Sequence, residues 1–444
     1  MRERLGRWTQ WLIPGIGVKR WALVLAFSIL LASAGVALIV NVRPLGWLEV
    51  IVFKMALSVL VLTGGTLSPT VFGVLLILIG LFVAFLGLRG TIRSIAGAFL
   101  PRGDPRLVQL LHQQRQQRQR RRGPRVVVVG GGTGLSALLR GLKVFTENLT
   151  AVVTVFDDGG SSGRLRRELG ILPPGDIRDC LVALAESEPL MTQLFEYRFQ
   201  GGALDGHAFG NLFIASLAGV TGDLESAVEA TSKVLNIRGR VLPSAAEDVV
   251  LVAEFTDGSV VEGESQIPRA RKQIRKMALK PADVASLPDV LQAIGEADLI
   301  VLGPGSLYTS VIPNLLVRGV ADAIRSSRAL RVYVCNVMTQ QGETDGFAAS
   351  DHVRALIDQI GPGLFTHVLV NTQRVRNRIV LARYEAEGAQ PVEADFDAIR
   401  ALGITPVPAH IVSEEDVVRH DPDRLGRVLN HLAEGAPAAT VATL

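Results

Sequence analysis

Two adjacent carboxylates follow a β-branched run and begin a segment rich in glycine and serine. This segment comes directly after Thr150–Phe156 (TAVVTVF). In a dinucleotide-binding fold, an acidic residue at the end of the second strand accepts a ribose hydroxyl. Alternatively, one carboxylate holds Mg²⁺ against a substrate phosphate while its neighbour acts as a base. An Asx turn explains either aspartate alone, but not the whole run. Asp157 and Asp158 are the candidate metal ligands. The candidate ligand-binding residues of this segment are Gly159, Gly160, Ser161, Ser162 and Arg164, and the arginine faces phosphate or solvent.

Two further loops of small residues are typical of phosphate-binding sites, because glycines let backbone N–H groups close on an anion. The first connects Arg125–Val129 (RVVVV) to the helical pattern LSALLRGLK, and the second follows Ala297–Leu302 (ADLIVL). Leu135 stands where the G-x-G-x-x-G pattern has its third glycine, and a tight structural turn is the alternative. The loops consist of Gly130, Gly131, Gly132, Thr133 and Gly134, and of Gly303, Pro304, Gly305 and Ser306.

Three polar residues in other loops complete the candidate set. Asp176 follows two prolines and a glycine, and its position predicts an N-cap for the next helix. It is a catalytic candidate, with Asp157 and Asp158, only if the protein is an enzyme. His207 can donate to an anion or move a proton near neutrality. Asn211 is either a ligand-binding residue or a turn residue.

Strands must position these loops. The apolar segments that precede the glycine loops and the acidic pair are typical of buried strands. Arg331–Val337 (RVYVCNV) and His367–Asn371 (HVLVN) show the same pattern. Val249–Glu264 alternates around an Asp-Gly turn, which predicts a β-hairpin. The predicted fold class is α/β, with a Rossmann-like, mostly parallel sheet, helices on both faces and an antiparallel β insertion. The loops would then converge on the carboxyl edge of the sheet, where ligands bind in open α/β folds.

The 444-residue chain begins with a strongly apolar region. Uncharged stretches at 21–40 and 67–88 are each long enough to cross about 30 Å of hydrocarbon as helices. Basic residues precede the first apolar stretch and follow the second, and this pattern places both ends of the helix pair in the cytoplasm. This predicts a two-helix transmembrane hairpin, preceding the main domain, in a multi-pass cell-membrane protein. Leu45–Leu62 contains Glu49 and Lys54 and is expected to be interfacial. A cleaved signal peptide is the weaker alternative, since no A-x-A-type site follows.

Charge divides the chain at Arg125. Residues 1–125 hold 17 Lys and Arg against 3 Asp and Glu, whereas the remainder holds 29 against 39, so the balance changes from +14 to −10. The run QQRQQRQRRR at 113–122 predicts a basic linker on anionic lipid. It has no interleaved aromatic residue, so nucleic acid is not an expected partner. Two cysteines exclude a disulfide scaffold. The expected domains are an anchor at 1–100, a linker at 101–124, a nucleotide-binding domain at 125–435 and a tail at 436–444.

Six motifs occur in a specific order: GGGTGLSALLRGLK, VTVFDDGGSSGRLRRELGILPPGDIRDCLVALA, GHAFGNL, VLNIRGRVLPS, LGPGSLYTSVIPNLL and YVCNVMTQQGETDGF. Together they resemble the YvcK-type gluconeogenesis factor family, of the CofD-like 2-phospho-L-lactate transferase superfamily. The resemblance implies binding of UDP-sugars, notably UDP-N-acetylglucosamine, at the glycine loops, and a role in cell shape on gluconeogenic carbon sources. Asp157 and Asp158 match the acidic pair of the transferases. Asp176 matches an aspartate of their P-D-x-D-T segment, which reads P-P-G-D-I here. His207 and Asn211 match an H-x-x-G-N element.

Two functions follow as hypotheses. The first is a membrane-tethered cytoplasmic regulator that binds a UDP-sugar and links carbon metabolism to cell shape and cell-wall synthesis. Its expected partners are the nucleotide-sugar, anionic lipid, cell-wall synthesis proteins and a second copy of the chain. The second is a 2-phospho-L-lactate transferase-type enzyme that uses a nucleoside-diphosphate-linked donor and Mg²⁺ held by Asp157 and Asp158. A bare scaffold for protein partners is less consistent with so many small-residue loops after strands.

Overall fold

The structure, a computed structural model, describes residues 18–40, 50, 51, 54, 58, 61, 69–99, 120–186, 189–414 and 417–438. The chain divides into two compact units, Met1–Gln114 and Arg115–Leu444. The predicted basic linker lies outside the described residues up to position 119, as do most of the predicted interfacial segment Leu45–Leu62 and the end of the tail.

The first unit contains two long helices that pack against each other, α1 (Val18–Val40) and α2 (Pro69–Phe99). Glycines allow this close contact. A Cβ atom added to Gly35 would lie 2.7 Å from the carbonyl oxygen of Gly73, and a Cβ atom on Gly73 would lie equally close to the carbonyl oxygen of Gly35. Many large apolar side chains of both helices are exposed instead, including Phe82, which is 62% exposed.

The length and hydropathy of these helices differ. Within the described residues, Thr70–Ile92 of α2 is the one segment long and apolar enough to cross a membrane, and the apolar stretch of α1, Leu23–Ala37, is shorter. The predicted hairpin of two membrane spans therefore stays a prediction.

Twelve strands are described in the second unit. In chain order they are β1 (Val126–Gly130), β2 (Leu149–Val153), β3 (Arg240–Pro243), β4 (Val250–Phe255), β5 (Val260–Glu262), β6 (Ile274–Lys280), β7 (Leu299–Leu302), β8 (Leu330–Val334), β9 (His367–Asn371), β10 (Thr405–Ala409), β11 (Val412–Ser413) and β12 (Arg419–His420).

Seven of these strands form one parallel sheet in the order β10-β9-β8-β7-β1-β2-β3. β1 (VVVVG) and β7 (LIVL) are buried along their whole length, as expected for a parallel sheet covered on both faces. The chain builds outward from β1 to β3, then returns to β7 and builds outward in the other direction to β10. The switch point of the sheet therefore lies between β1 and β7, and this predicts where a ligand binds.

The antiparallel insertion is a three-stranded sheet in the order β5-β4-β6. Its β4–β5 pair is the predicted hairpin, while β6 pairs with the other side of β4 and was not expected from the sequence. The segment between β5 and β6 contains a 3₁₀ turn at Pro268–Ala270. Glu264 lies in the same segment, just after β5.

Helices connect the strands. The helix Gly132–Leu142 packs against Gly175–Leu184 and Pro422–Ala433, and the helix Pro288–Glu296 packs against Val320–Ser326. The fold class predicted for this unit is confirmed: a parallel sheet flanked by helices, with a small antiparallel sheet. The helices are α3 (Gly132–Leu142), α4 (Gly160–Leu169), α5 (Gly175–Leu184), α6 (Pro189–Glu196), α7 (Phe209–Thr221), α8 (Leu224–Leu235), α9 (Pro288–Glu296), α10 (Ile312–Leu316), α11 (Val320–Ser326), α12 (Ala349–Ile360), α13 (Arg378–Ala386), α14 (Phe396–Ala401) and α15 (Pro422–Ala433).

Candidate functional site

The two glycine loops lie side by side at the carboxyl edge of the parallel sheet. They follow β1 and β7, which pair directly. A Cβ atom added to Gly134 would lie 3.0 Å from the carbonyl oxygen of Pro304, and one added to Gly305 would lie 3.0 Å from the carbonyl oxygen of Gly131. Larger residues would force the loops apart, so the sequence of small residues permits the two turns to form one surface.

Both loops retain backbone N–H groups that have no protein partner in the described part of the chain. The first-turn N–H groups of an α-helix have no partner within the helix. In α3 that of Gly132 donates to Asp176, whereas those of Thr133 and Gly134 do not donate to protein. The N–H groups of Gly305 and Ser306 are free in the same sense. Such groups at a helix N-terminus and in a tight turn are suited to bind phosphate oxygens.

Asp176 contacts the first loop directly. Its Oδ2 atom accepts hydrogen bonds from the Gly132 N–H and from Thr154 Oγ1, each at 2.8 Å. The predicted N-cap role is wrong, because α5 begins at Gly175 and Asp176 is its second residue. The carboxylate instead points to the N-terminus of α3, where the helix dipole favours negative charge. Burial raises the pKa of Asp176 to about 6. This side chain therefore fixes the loop and occupies one of its N–H groups.

The acidic pair receives a third carboxylate from the insertion. Asp157 Oδ1 accepts from the Gly159 N–H at 2.8 Å, and Asp158 Oδ1 accepts from the Ser265 N–H at 2.9 Å. The Ser265 contact draws in Glu264, so that ligand atoms of Asp157, Asp158 and Glu264 all lie within 4.8 Å of one another. Oxygen donors in such a cluster are those that Mg²⁺ prefers. The residues present thus fit a divalent cation.

The charge of Asp157 is partly compensated by a hydrogen bond from Ser162 and by the positive charge of Arg166, but burial outweighs both and raises the pKa of this carboxyl group. Burial, followed by the negative charges of Asp157 and Asp158, raises the pKa of Glu264 to about 8. Arg167 donates to the backbone carbonyl of Asp158 at 3.2 Å and not to a carboxylate. A bound cation would relieve the repulsion and return Glu264 to its ionised form.

Two buried side chains hold the second glycine loop and were not among the predicted site residues. Glu343 accepts hydrogen bonds from the Ser306 hydroxyl and the Tyr308 N–H, and burial raises its pKa. Asn314 Nδ2 donates to the carbonyl oxygens of Gly130, at 3.1 Å, and Ser310, at 2.8 Å, and so ties the end of β1 to the turn after β7. The Ser306 hydroxyl is thus engaged by protein, and its backbone N–H remains for a ligand.

His207 and Asn211 are buried, and they contact the helix that follows the acidic pair. Ser161 Oγ, in α4, lies 3.1 Å from His207 Nδ1 and 3.1 Å from Asn211 Nδ2. Asn211 Nδ2 also donates to Ser162 Oγ at 3.4 Å, and Arg178 donates to Asn211 Oδ1 at 2.9 Å. This network positions the N-terminus of α4. It engages the side chains of Ser161 and Ser162 as well, so these four residues form one buried network, and their predicted role in ligand binding stays a prediction.

Arg164 is directed elsewhere. Its guanidinium donates to the carbonyl oxygen of Asp205 at 2.6 Å. Gly160 begins α4 with a φ of +48°, a conformation that favours glycine. The backbone N–H of Gly159 donates to Asp157. The structure therefore brings together the two glycine loops, Asp176, the acidic pair and Glu264, but not Arg164.

Comparisons with known proteins agree with this architecture. The family described as 2-phospho-L-lactate transferase CofD matches residues 126–412. A gluconeogenesis factor of Halalkalibacterium halodurans is 51% identical over 314 residues, 70% of this chain and 96% of the relative. The gluconeogenesis factor of Bacillus subtilis is 49% identical over 308 residues, 69% of this chain and 97% of the relative.

Two further matches concern the whole chain and the fold. A relative from Nostoc sp. (strain PCC 7120) is 48% identical over 431 residues, 96% of this chain and 93% of the relative, so the similarity extends into the N-terminal unit. A crystal structure of a protein from Bacillus halodurans superposes with a TM-score of 0.68 at 51% identity and covers 69% of this chain and 99% of its own. The chain therefore belongs to the gluconeogenesis factor family of YvcK type and carries a CofD-family domain.

Proposed function

We propose that this protein is a regulator that binds UDP-N-acetylglucosamine as its Mg²⁺ complex at the switch point of the parallel sheet. The observation that carries the proposal is the joint placement of two phosphate-type loops beside Asp157, Asp158 and Glu264. The loops offer N–H groups to a diphosphate. The choice of a uridine nucleotide and of this sugar rests on the family resemblance.

Electrostatics support a metal complex over the free nucleotide. A diphosphate is an anion, and near the loops it would meet the carboxylates of Asp157, Asp158, Asp176, Glu264 and Glu343. At a separation of about 4 Å, two like charges repel by about 4 kcal/mol at an effective dielectric constant of about 20. Mg²⁺ held by Asp157, Asp158 and Glu264 would supply the positive charge that lets phosphate oxygens approach. Nucleotide affinity is therefore expected to depend on the divalent cation.

The proposal includes a membrane tether. In the N-terminal unit the glycines lie between the helices while Leu81 and Phe82 are 60% and 62% exposed, a distribution suited to surrounding hydrocarbon. With two spans both termini and the second unit would be cytoplasmic, and the basic segment at 113–122 would lie on anionic lipid. A regulator of cell shape in this position would act on cell-wall synthesis proteins, as a monomer or as a pair of copies.

A thermal-shift panel on the full-length protein in detergent tests ligand choice. We expect UDP-N-acetylglucosamine with Mg²⁺ to stabilise the protein by about 2.7 kcal/mol at about 100 times its Kd, and GDP or NAD to have a smaller effect. The D157N/D158N double variant should lose the stabilisation, while D397N, which removes an exposed carboxylate in α14, should keep it. Absence of any shift with millimolar UDP-sugars would contradict the proposal.

The second candidate is a transferase of the 2-phospho-L-lactate type, favoured by the CofD-family match and the carboxylate trio. When bound, Mg²⁺ would neutralise charge on the donor phosphates. One carboxylate of the Asp157–Asp158 pair would hold it, and its neighbour could take a proton from the acceptor hydroxyl. Asp176, engaged by Gly132 and Thr154, would position the loop. Formation of a phospholactyl product from a nucleoside-diphosphate-linked donor and a deazaflavin acceptor would favour this function, and its absence under saturating Mg²⁺ would exclude it.

A further inference from the structure

Glu343 is a buried carboxylate far along the chain from the residues it contacts. It lies in the loop after β8, whereas the glycine loop it contacts follows β7, the adjacent strand. The side chain is 8% exposed. A buried carboxylate is costly unless hydrogen bonds compensate it, so its contacts should explain why it is there.

The contacts of Glu343 form a closed network around the turn at Ser306. Its Oε2 atom accepts from the Ser306 hydroxyl and from the Tyr308 N–H at 3.3 Å, and its Oε1 atom lies 3.3 Å from Thr309 Oγ1. Ser306 Oγ in turn accepts from Thr309 Oγ1 at 2.7 Å and from the Thr309 N–H at 3.3 Å. Both lone pairs and the proton of the Ser306 hydroxyl are thereby used.

The network has one consequence for the loop. With its hydroxyl fully engaged, Ser306 is held in one orientation as the cap of the turn at Leu307–Val311. In that orientation the N–H groups of Gly305 and Ser306 make no hydrogen bond to protein within the described residues. Protein groups that arrange free N–H donors in advance lower the cost of binding an anion.

We infer that Glu343 is a positioning residue that holds the Gly303–Ser306 loop in its diphosphate-binding form. The inference rests on the proposed function for the identity of the ligand. It explains why a negative side chain stands near an anion site: its role is that of a hydrogen-bond acceptor, and its charge is not required. A glutamine should therefore replace it. The glutamine oxygen can accept from Ser306 and Tyr308, and its amide group can donate to Thr309 Oγ1, whose own proton goes to Ser306.

Two measurements on the full-length protein in detergent test the inference. The first is hydrogen exchange, without ligand, of the backbone amides of Tyr308 and Thr309, which donate to Glu343 and to Ser306 Oγ. The second is a calorimetric titration with UDP-N-acetylglucosamine and Mg²⁺. We expect E343A to speed exchange at least tenfold and to weaken binding at least tenfold. E343Q should stay within threefold of the unsubstituted protein in both, as should E385A, which removes an exposed glutamate in α13.

The outcomes separate the inference from the proposed function. If E343A matches the unsubstituted protein, or if E343Q loses as much as E343A, the inference is overturned. If the unsubstituted protein binds no UDP-sugar, the proposed function fails, and the exchange measurement still decides whether Glu343 holds the loop. If E343A does not fold, S306A replaces it: the same acceleration of exchange is expected at Thr309, whose N–H donates to Ser306 Oγ, and unchanged exchange overturns the inference.

Discussion

The two units of the protein place large and small apolar side chains in opposite ways. In the second unit aliphatic side chains such as Val128 and Leu138 are fully buried, and the exposed surface carries most of the charged residues. In the N-terminal unit the helices meet at glycines such as Gly35 and Gly73, while leucine and phenylalanine side chains are exposed. The same residue types thus follow two different rules within one chain.

The proposed membrane tether accounts for this difference, because it places the two units in two solvents. In water, burial of large apolar side chains stabilises a fold by about 25 cal/mol per Å² of surface. In lipid that driving force between helices is absent, and helices associate through close packing at small residues. Charge divides the chain in a similar way. The net charge of +4 is an average of a basic N-terminal segment and an acidic domain, so it describes neither. Each unit therefore predicts its own response to substitution.

Loss of a large side chain should be most severe in the second unit. Leu138 of α3 is fully buried between the helix and the sheet. Leu138→Ala is expected to lower the free energy of unfolding of this unit by about 2–5 kcal/mol, since it removes buried surface and leaves a cavity. Urea unfolding of the full-length protein, followed by circular dichroism, measures the change. A loss below about 0.5 kcal/mol, the size typical of surface substitutions, would show that α3 is not part of the core.

A charge introduced on the exposed face of α2 should have opposite effects in a membrane and in water. Leu81, near the middle of α2, is 60% exposed. In a membrane, Leu81→Arg would cost about 3 kcal/mol, so the membrane-integrated fraction should fall sharply. In water the same change at an exposed site would be neutral or improve solubility. Carbonate extraction of membranes measures the fraction, with Leu81→Ile as the matched control. An unchanged fraction for both variants would contradict the membrane tether.

Enlarging a glycine should be costly only where two helices meet. A Cβ atom on Gly73 would lie 2.7 Å from the carbonyl oxygen of Gly35. Gly73→Leu is therefore expected to destabilise the helix pair by about 1–3 kcal/mol, as overpacking does. Val74→Leu, on the exposed side of the same helix, should have little effect. Unfolding of the pair in bicelles compares the variants, and equal stability of Gly73→Leu and Val74→Leu would exclude the close contact between the helices at Gly73.

The acidic site should make the second unit sensitive to pH. The pKa of Glu264 is raised from 4.5 to about 8, mainly by burial. The folded state therefore holds a proton that the unfolded state has lost, so the stability contributed by this group is fully present below about pH 4.5 and falls as pH rises towards 8. We expect a loss of roughly 1–3 kcal/mol over this range without divalent cation.

Two changes should flatten this profile. Glu264→Gln removes the titrating group, and saturating Mg²⁺ replaces the proton with a cation. Glu262→Gln, at an exposed position in β5, is the matched control and should keep the slope. Thermal unfolding between about pH 4.5 and 8, with and without EDTA, measures the effect. A slope that is the same for Glu264→Gln and Glu262→Gln would show that Glu264 is not the responsible group.

The central strands could be predicted from the sequence because they are apolar runs followed by loops of small residues. The two edge strands could not. β3 (RVLP) and β10 (TPVPA) contain prolines, which central strands exclude but edges tolerate. The third strand of the insertion, β6 (IRKMALK), alternates weakly and is recognised only through its pairing with β4.

The site could be predicted in part for a related reason. The glycine loops and the acidic pair are contiguous in sequence, so their residue types alone indicate phosphate and cation chemistry. Glu264 and Glu343 join them only through the fold: Ser265, next to Glu264, contacts an aspartate 107 positions earlier. The role of Asp176 also depended on a distant contact, with Gly132, 44 positions away. Its local context of prolines and glycine pointed to a cap.

The most direct test of the nucleotide-sugar site is a calorimetric titration of the full-length protein with UDP-N-acetylglucosamine, in saturating Mg²⁺ and again in EDTA. We predict saturable binding of one ligand per chain in Mg²⁺, at least tenfold weaker binding in EDTA, and loss of the Mg²⁺ dependence in the D157N/D158N variant. Binding of equal strength in Mg²⁺ and EDTA would contradict the cation site. No binding in either condition would contradict the assignment of the switch point as a nucleotide-sugar site.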